Sequence, residues 1–340
     1  MLTLPGRTNR KEGLRELAAE LERISDTIGF KISARGWCYQ LEQFGLITKA
    51  EFDRVENVVN TCRREGNLPI DFTAEEEARG FAGVEIPEEG SPIEFLGRVL
   101  QESLRCENYY TPDWWDGEDY YIQMIVEKID VKTLFQNVCF EYHIPIATTK
   151  GWSSMRQRAE YSKRFSQAED RGLNCVLLYC GDHDPDGLRI SDFLRSNLDD
   201  LKKIRWGDGI EGYDPIDLKI DRFGLNYDFI QQNNLSWINN LITGSKKDLG
   251  SPSHPNHFLL YVQDYIKNYG KRKCEANALV VIPRQAEQLA RGAIEKYLGQ
   301  DSLSRFKTKR DAVITEVKEF RKDKGLDEVI NKALDEIENN

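Results

Sequence analysis

Residues 177–190 read Leu-Leu-Tyr-Cys-Gly-Asp-His-Asp-Pro-Asp-Gly-Leu-Arg-Ile, and this stretch decides the fold. It belongs to an apolar run over 174–180 that ends abruptly in Gly181-Asp182-His183-Asp184-Pro185-Asp186-Gly187. A strand with no polar alternation is buried on both faces, as in a parallel sheet covered by helices. Pro185 fixes its own φ, and Gly187 permits a close backbone approach where the next helix begins.

Outward from that run the same rhythm repeats. Upstream, Tyr121–Val126 is a short apolar strand ending at Glu127, followed by a helical pattern over 130–141, a second strand over 144–149 and a basic amphipathic helix over 152–170. Downstream, 187–203 reads as a helix and 217–222 as a fourth strand. Strands alternating with helices predict an α/β domain with a parallel sheet and helices on both faces. Such sheets bind ligands at the carboxyl ends of their strands, which is where Glu127 and Asp182 fall.

Three carboxylates then suggest a chemistry. Asp182 and Asp184, at i and i+2 past a strand end, can point into one site, and Glu127 supplies a third oxygen ligand or an acid/base. Hard oxygen donors suit Mg²⁺, with Mn²⁺ as a substitute. A cation so held neutralises charge on a transferring phosphoryl group and its leaving oxygen. An EF-hand is excluded, because position twelve counted from Asp182 is Phe193 rather than Glu. His183, between the aspartates, is either an acid/base or a turn residue. His143, His254 and His257 form no ligand spacing.

The N-terminal third has a different pattern. Leu14, Leu17, Leu21 and Ile24 give 10–28 one apolar helical face. Ser33 can cap a helix over 33–44, and Thr48 with Glu51 forms a capping box for one over 48–65. A short strand is expected at Leu68–Phe72. Three helices and a strand suggest a helix-turn-helix or winged-helix DNA-binding domain over 1–72. Residues 73–120 read as an acidic connector with one packing helix over 91–105, and its aromatic end, 109–121, either anchors one domain on another or stacks on bases. The α/β domain spans 121–225. A mainly helical extension, 226–340, completes it, with helices at 228–242, 255–268, 283–298 and 308–339.

Composition bounds the function classes. The 340 residues are 40% hydrophobic and 31% charged, as in a globular chain of two or three domains. No apolar run approaches membrane length, and the first residues lack a secretory h-region, so a cytoplasmic, nucleoid-associated (or nuclear) setting is expected. Seven scattered cysteines with no CxxC imply reduced thiols and no zinc site. The net charge of −10 is concentrated: between Asp71 and Tyr120 stand 14 carboxylates and three arginines, a net of −11, so the rest of the chain sums to +1. Arg63-Arg64, the helix with Arg156, and Lys271-Arg272-Lys273 are therefore either DNA-facing patches or ordinary solvated faces.

Glu127-Lys128 after one strand and Gly181–Gly187 after another resemble the Toprim domain, in the form closest to the topoisomerase VI A subunit and the related meiotic double-strand-break protein family. Lys150-Gly151 and 273–279 (Lys-Cys-Glu-Ala-Asn-Ala-Leu) are similar to further pieces of it. Residues 33–41 resemble the winged-helix segment in which an arginine precedes the nucleophilic tyrosine by four positions, here Arg35 and Tyr39. The resemblance covers most of 30–280. It implies a metal site of Glu127, Asp182 and Asp184, a nucleophile at Tyr39 and a 5′-phosphotyrosyl link. It also implies a homodimer in which the tyrosine of one chain meets the metal site of the other. Double-stranded DNA would be the partner, contacted by Arg35, Arg63, Arg64, Lys150, Arg156 and Lys273, with no membrane involved. Trp37 and Cys38 stand where the family often has two aromatics. No Walker motif occurs, so any ATPase would be a separate subunit. Three readings stay open: a tyrosine transesterase, a hydrolytic Toprim endonuclease of a defence or SMC-type complex in which Tyr39 is a core aromatic, and a non-catalytic DNA-binding subunit.

Overall fold

The computed structural model describes residues 4–5, 10–74, 87–149, 155–204, 212–242 and 247–339. The chain forms two compact units, one of 1–75 with 119–297 and one of 76–118 with 298–340.

The first unit is built on a four-stranded parallel sheet. Its strands are β1 (Tyr120–Val126), β2 (Ile146–Thr148), β3 (Asn174–Cys180) and β4 (Lys219–Gly224), in the order β2-β1-β3-β4. β1 and β3 pair in register from Tyr120 with Asn174 to Val126 with Cys180. Their side chains, Ile122, Met124, Ile125, Val126 and Val176 through Cys180 among them, are almost wholly buried. The unbroken apolar runs thus form the two central strands, as covering on both faces requires.

Helices α5 (Ile129–Glu141), α6 (Met155–Glu169) and α7 (Ile190–Asp199) connect the strands in turn. From β1 the chain crosses to one side and returns past it to β3. Right-handed crossovers therefore place α5 on one face and α6 with α7, which pack together, on the other. Between β1 and β3 the winding reverses. This is the position where open α/β sheets form a crevice beyond their carboxyl ends.

The same unit carries α1 (Arg10–Ile28), α2 (Ala34–Gln43) and α3 (Phe52–Arg64) around a core that includes Leu17, Leu21, Trp37, Leu41, Phe52 and Val59. Ser33 caps α2 by accepting from the Gly36 N–H at 3.0 Å. Glu51 reaches back to the Thr48 N–H at 3.0 Å. The expected strand at Leu68–Phe72 is a turn instead. Leu68 and Phe72 are buried in the helical core, Phe72 stacking on Trp37 at 5.0 Å, while Pro69 and Ile70 face solvent. Arg63 donates to the Ile70 carbonyl at 2.9 Å and so closes the turn. Helices fill this layer; a winged helix is not established by it.

After β4 come α8 (Tyr227–Gln232), α9 (Leu260–Tyr269), a 3₁₀ segment (Ala276–Val281) and α10 (Pro283–Leu298). The helix expected over 228–242 ends at Gln232; the chain beyond turns back through isolated bridges, including Ile238 with Lys273.

The second unit contains α4 (Pro92–Ser103), α11 (Ser302–Asp323) and α12 (Leu326–Glu338). The single helix expected over 308–339 is divided at Gly325, whose φ of 63° is left-handed. Arg321 on α11 donates to Glu107 at 2.7 Å and to Asp327 at 2.7 Å. Trp114 is buried against Phe306, with ring centroids 4.3 Å apart. Part of the aromatic stretch thus serves packing, whereas Tyr109 and Tyr110 remain exposed. The segment expected as a connector and the end of the expected C-terminal extension come together in this unit.

Candidate active site

Glu127, Asp182 and Asp184 line one cavity of about 870 Å³ at the carboxyl edge of the sheet, between β1 and β3. Local geometry explains how they are held. The Asp182 N–H donates to Glu127 Oε2 at 2.8 Å, so the ends of the two central strands are tied by the Glu127 carboxylate. Asp182 Oδ1 accepts from the Ala276 N–H at 2.8 Å, and Asp184 Oδ1 accepts from Gly187 N at 2.6 Å. A Cβ on Gly187 would stand 2.3 Å from the Asp182 carbonyl oxygen, so only glycine fits this turn.

Arg222 on β4 locks the loop from behind. It donates to the carbonyls of Asp182 at 3.0 Å and Gly187 at 3.0 Å. His183 points away from the cavity into an aromatic cage. Its Nδ1 lies 3.0 Å from the Tyr265 hydroxyl, its ring packs edge-on against Trp237 and Tyr269, and its backbone pairs with Cys274. Burial pushes the imidazole down to about 4, so it is neutral at pH 7. His183 is a structural anchor of the loop.

Lys128 sits where a cation belongs. Its ammonium lies 2.6 Å from Glu127 Oε1 and 2.9 Å from Asp182 Oδ2. Burial works against its charge, but Asp182 and Glu127 more than offset this and hold it well above the ordinary lysine value. Burial raises Asp182, a rise that Lys128 opposes and Glu127 reinforces. Asp184 is pushed up to about 6, chiefly by burial and then by the adjacent Asp182 charge. Two carboxyls raised side by side are the mark of a site short of positive charge.

Among the described residues, no three His, Cys, Asp or Glu side chains are arranged to hold a metal ion. The expected ligands share a cavity, but two of them are turned onto Lys128. The donor type suits a hard divalent cation, and the Lys128 ammonium occupies the place between Glu127 and Asp182 that such an ion would take.

Tyr39 and Arg35 line the same cavity. The Tyr39 ring packs edge-on against Phe52 at 5.0 Å, as a core aromatic does. Its hydroxyl is raised above the ordinary tyrosine value by burial and by the nearby charge of Glu275. Arg35 is paired with Glu56 at 2.9 Å and, more loosely, with Asp53 at 3.9 Å. Lys273 is buried, lines the cavity and contacts Glu275 at 3.2 Å. The other expected DNA contacts lie elsewhere. Arg63 closes the turn after α3, Arg64 donates to Thr61 at 3.2 Å, and Arg156 pairs along its own helix with Glu160. Lys150 is outside the described residues.

Sequence reasoning missed Lys49 and Arg222, and it placed Glu275 only within the 273–279 stretch, with no role of its own. Glu275 is buried between Lys49 and Lys273. Burial alone would raise its carboxyl, but the two lysines hold it well below the usual range. No local signal linked the two, since Lys49 and Glu275 lie 226 positions apart. No protein-family model, curated protein or solved structure matches this chain.

Proposed function

We propose that this protein cleaves DNA strands in a Mg²⁺-dependent reaction at the cavity between β1 and β3, with Tyr39 as nucleophile. The observation that carries this reading is the convergence of Glu127, Asp182 and Asp184 with Tyr39 and Arg35 on one cavity at the reversal point of a parallel sheet. Glu127, Asp182 and Asp184 would hold the ion, and Mg²⁺ bound there would neutralise charge on the phosphate and the departing oxygen. Lys128, once displaced from the carboxylates, would pair with a non-bridging phosphate oxygen. Arg35 and Lys273, both already at the cavity wall, supply further positive charge for the backbone. A double-strand break would take two copies of the chain, and winged-helix-like contacts from α1–α3 would grip the duplex.

A hydrolytic reading is favoured by one feature. The Tyr39 hydroxyl is pushed up rather than down, and its ring packs against the helical core. On that reading water attacks, and Tyr39 only packs.

Incubation with supercoiled plasmid and Mg²⁺ or Mn²⁺, stopped with denaturant and resolved with and without protease, separates the readings. Protein attached to 5′ ends, lost in Tyr39→Phe and Asp182→Ala, supports transesterification. Free nicked or linear product that survives Tyr39→Phe but not Asp182→Ala supports hydrolysis. Cleavage untouched by Asp182→Ala would sink both and leave a DNA-binding subunit.

A further inference from the structure

Glu275 stands out as a buried acid with an unspent oxygen. Its Oε1 takes both cations, with Lys273 at 3.2 Å and Lys49 in direct contact. Its Oε2 is buried with no hydrogen-bond partner among the described residues. Tyr39 is the neighbour: it lines the cavity with Glu275, feels the carboxylate's charge, and has the Lys49 ammonium 5.7 Å from its ring centroid. The segment is fixed in place, because Ala276, the next residue, donates its N–H to Asp182 at 2.8 Å.

We propose that Glu275 is the group that takes the phenolic proton of Tyr39 as the tyrosyl oxygen attacks phosphorus. This rests on the tyrosine reading above. In the step, the Tyr39 O–H bond breaks and its proton passes to Glu275 Oε2. A Tyr39 O–P bond forms, the P–O3′ bond breaks, and the 3′-oxygen takes a proton from solvent. Glu275 returns its proton to solvent or, on resealing, to Tyr39, so the number of phosphoester bonds is unchanged. Lys49 and Lys273, which hold the carboxylate well below the usual range in the free protein, would orient it, and an entering phosphate would draw their charge towards itself and so restore the basicity of Oε2. A positioned acid–base group contributes on the order of 10²–10⁴-fold in rate.

The test is single-turnover formation of the covalent 5′ adduct on a DNA duplex carrying either an ordinary 3′-oxygen or a 3′-bridging sulfur at the cut. Binding of the same duplex is followed by anisotropy. Glu275→Gln is expected to slow adduct formation on the order of 10²-fold with both leaving atoms, with DNA affinity within about twofold of wild type. Glu275→Asp, which keeps the charge but draws it back, is expected to fall between. A Glu275→Gln rate equal to wild type overturns the proposal, as does a defect rescued by the sulfur leaving group, which would make Glu275 a donor to the 3′-oxygen. Loss of affinity at unchanged rate overturns it also. Wild-type cleavage without any adduct would instead show that the tyrosine reading itself has failed.

Discussion

The Lys128 ammonium bridges Glu127 Oε1 and Asp182 Oδ2, at 2.6 and 2.9 Å. One side chain thereby balances the carboxylates that end two neighbouring parallel strands. On the proposed function, a divalent cation would compete with this lysine for the same oxygens. Lys128→Met leaves those carboxylates facing each other and is expected to cost ~3 kcal/mol in metal-free buffer, in line with the loss of one partner of a largely buried pair. Mg²⁺ at a hundred times its dissociation constant adds ~2.7 kcal/mol to a protein that binds it only when folded. Thermal unfolding with and without Mg²⁺ should therefore show a larger upward shift in Lys128→Met than in wild type. Equal shifts would mean that the ion binds away from Glu127 and Asp182.

Asp130 gives a pH prediction away from the cavity. Its carboxylate accepts from the Ser33 N–H at 2.9 Å and from the Ser33 hydroxyl at 3.2 Å, just before α2 begins. Burial raises its pKa against the pull of those two bonds. A raised folded value favours the protonated form. The stability it contributes is complete below the unfolded aspartate pKa of ~3.9 and is lost as pH rises through the folded value. Asp130→Asn mimics the protonated form and does not titrate. Relative to Asp130→Asn, wild type should be more stable at pH 4 than at pH 7, as measured by denaturant midpoints. A difference that is flat or reversed between those pH values would mean that Asp130 is not raised.

The central strands and the aspartate loop were legible because their signals are local. Short, largely apolar runs can only be covered strands or buried helix segments, and Gly-Asp-His-Asp-Pro-Asp-Gly stops either one. Leu68–Phe72 was misread because Leu68 and Phe72, four apart, serve a helical core from a turn, while Pro69 and Ile70 face outward. Gly325 lay within an apparently continuous charged pattern, and periodicity alone does not reveal a left-handed residue. Lys49 and Arg222 carry no motif, and Glu275 lies in the stretch 273–279 with nothing local to mark its partners. Each acquires its role only when distant segments meet, as Lys49 does with Glu275 and Arg222 with the Asp182 carbonyl.

Gly187 tests how tightly the loop is built. An alanine Cβ there would lie 2.3 Å from the Asp182 carbonyl oxygen and 3.1 Å from Asp184 Oδ1, and the first of these is backbone. The loop must open to admit it, loosening the Gly187 N–H bond to Asp184 and the Arg222 contact to the Gly187 carbonyl. Gly187→Ala is expected to cost ~2–3 kcal/mol in unfolding free energy, the usual scale for overpacking a closed site. Cleavage should fall further than stability does, because Asp182 and Asp184 are displaced together. A variant with wild-type Tm and wild-type cleavage would mean that the loop is compliant.

The cavity also makes a prediction about assembly. Tyr39, Glu127, Asp182 and Asp184 of a single chain line it together, whereas the family resemblance implies a tyrosine delivered from a partner. Mixing two inactive proteins decides between these arrangements. If one chain supplies both halves of the site, Tyr39→Phe and Asp182→Ala chains that exchange partners form no intact site, and adduct formation stays at background. If the halves come from different chains, a mixed dimer holds one site with both residues intact. Nicking should then recover to about half the wild-type rate per mixed dimer, the statistical expectation for independent sites. The assay requires refolding or co-expression of the two variants, with differently tagged chains captured in sequence, so that every complex scored contains one of each. Background activity in that purified mixed dimer supports cleavage within one chain. Recovered nicking would mean that the cavity described here is completed differently when DNA is bound.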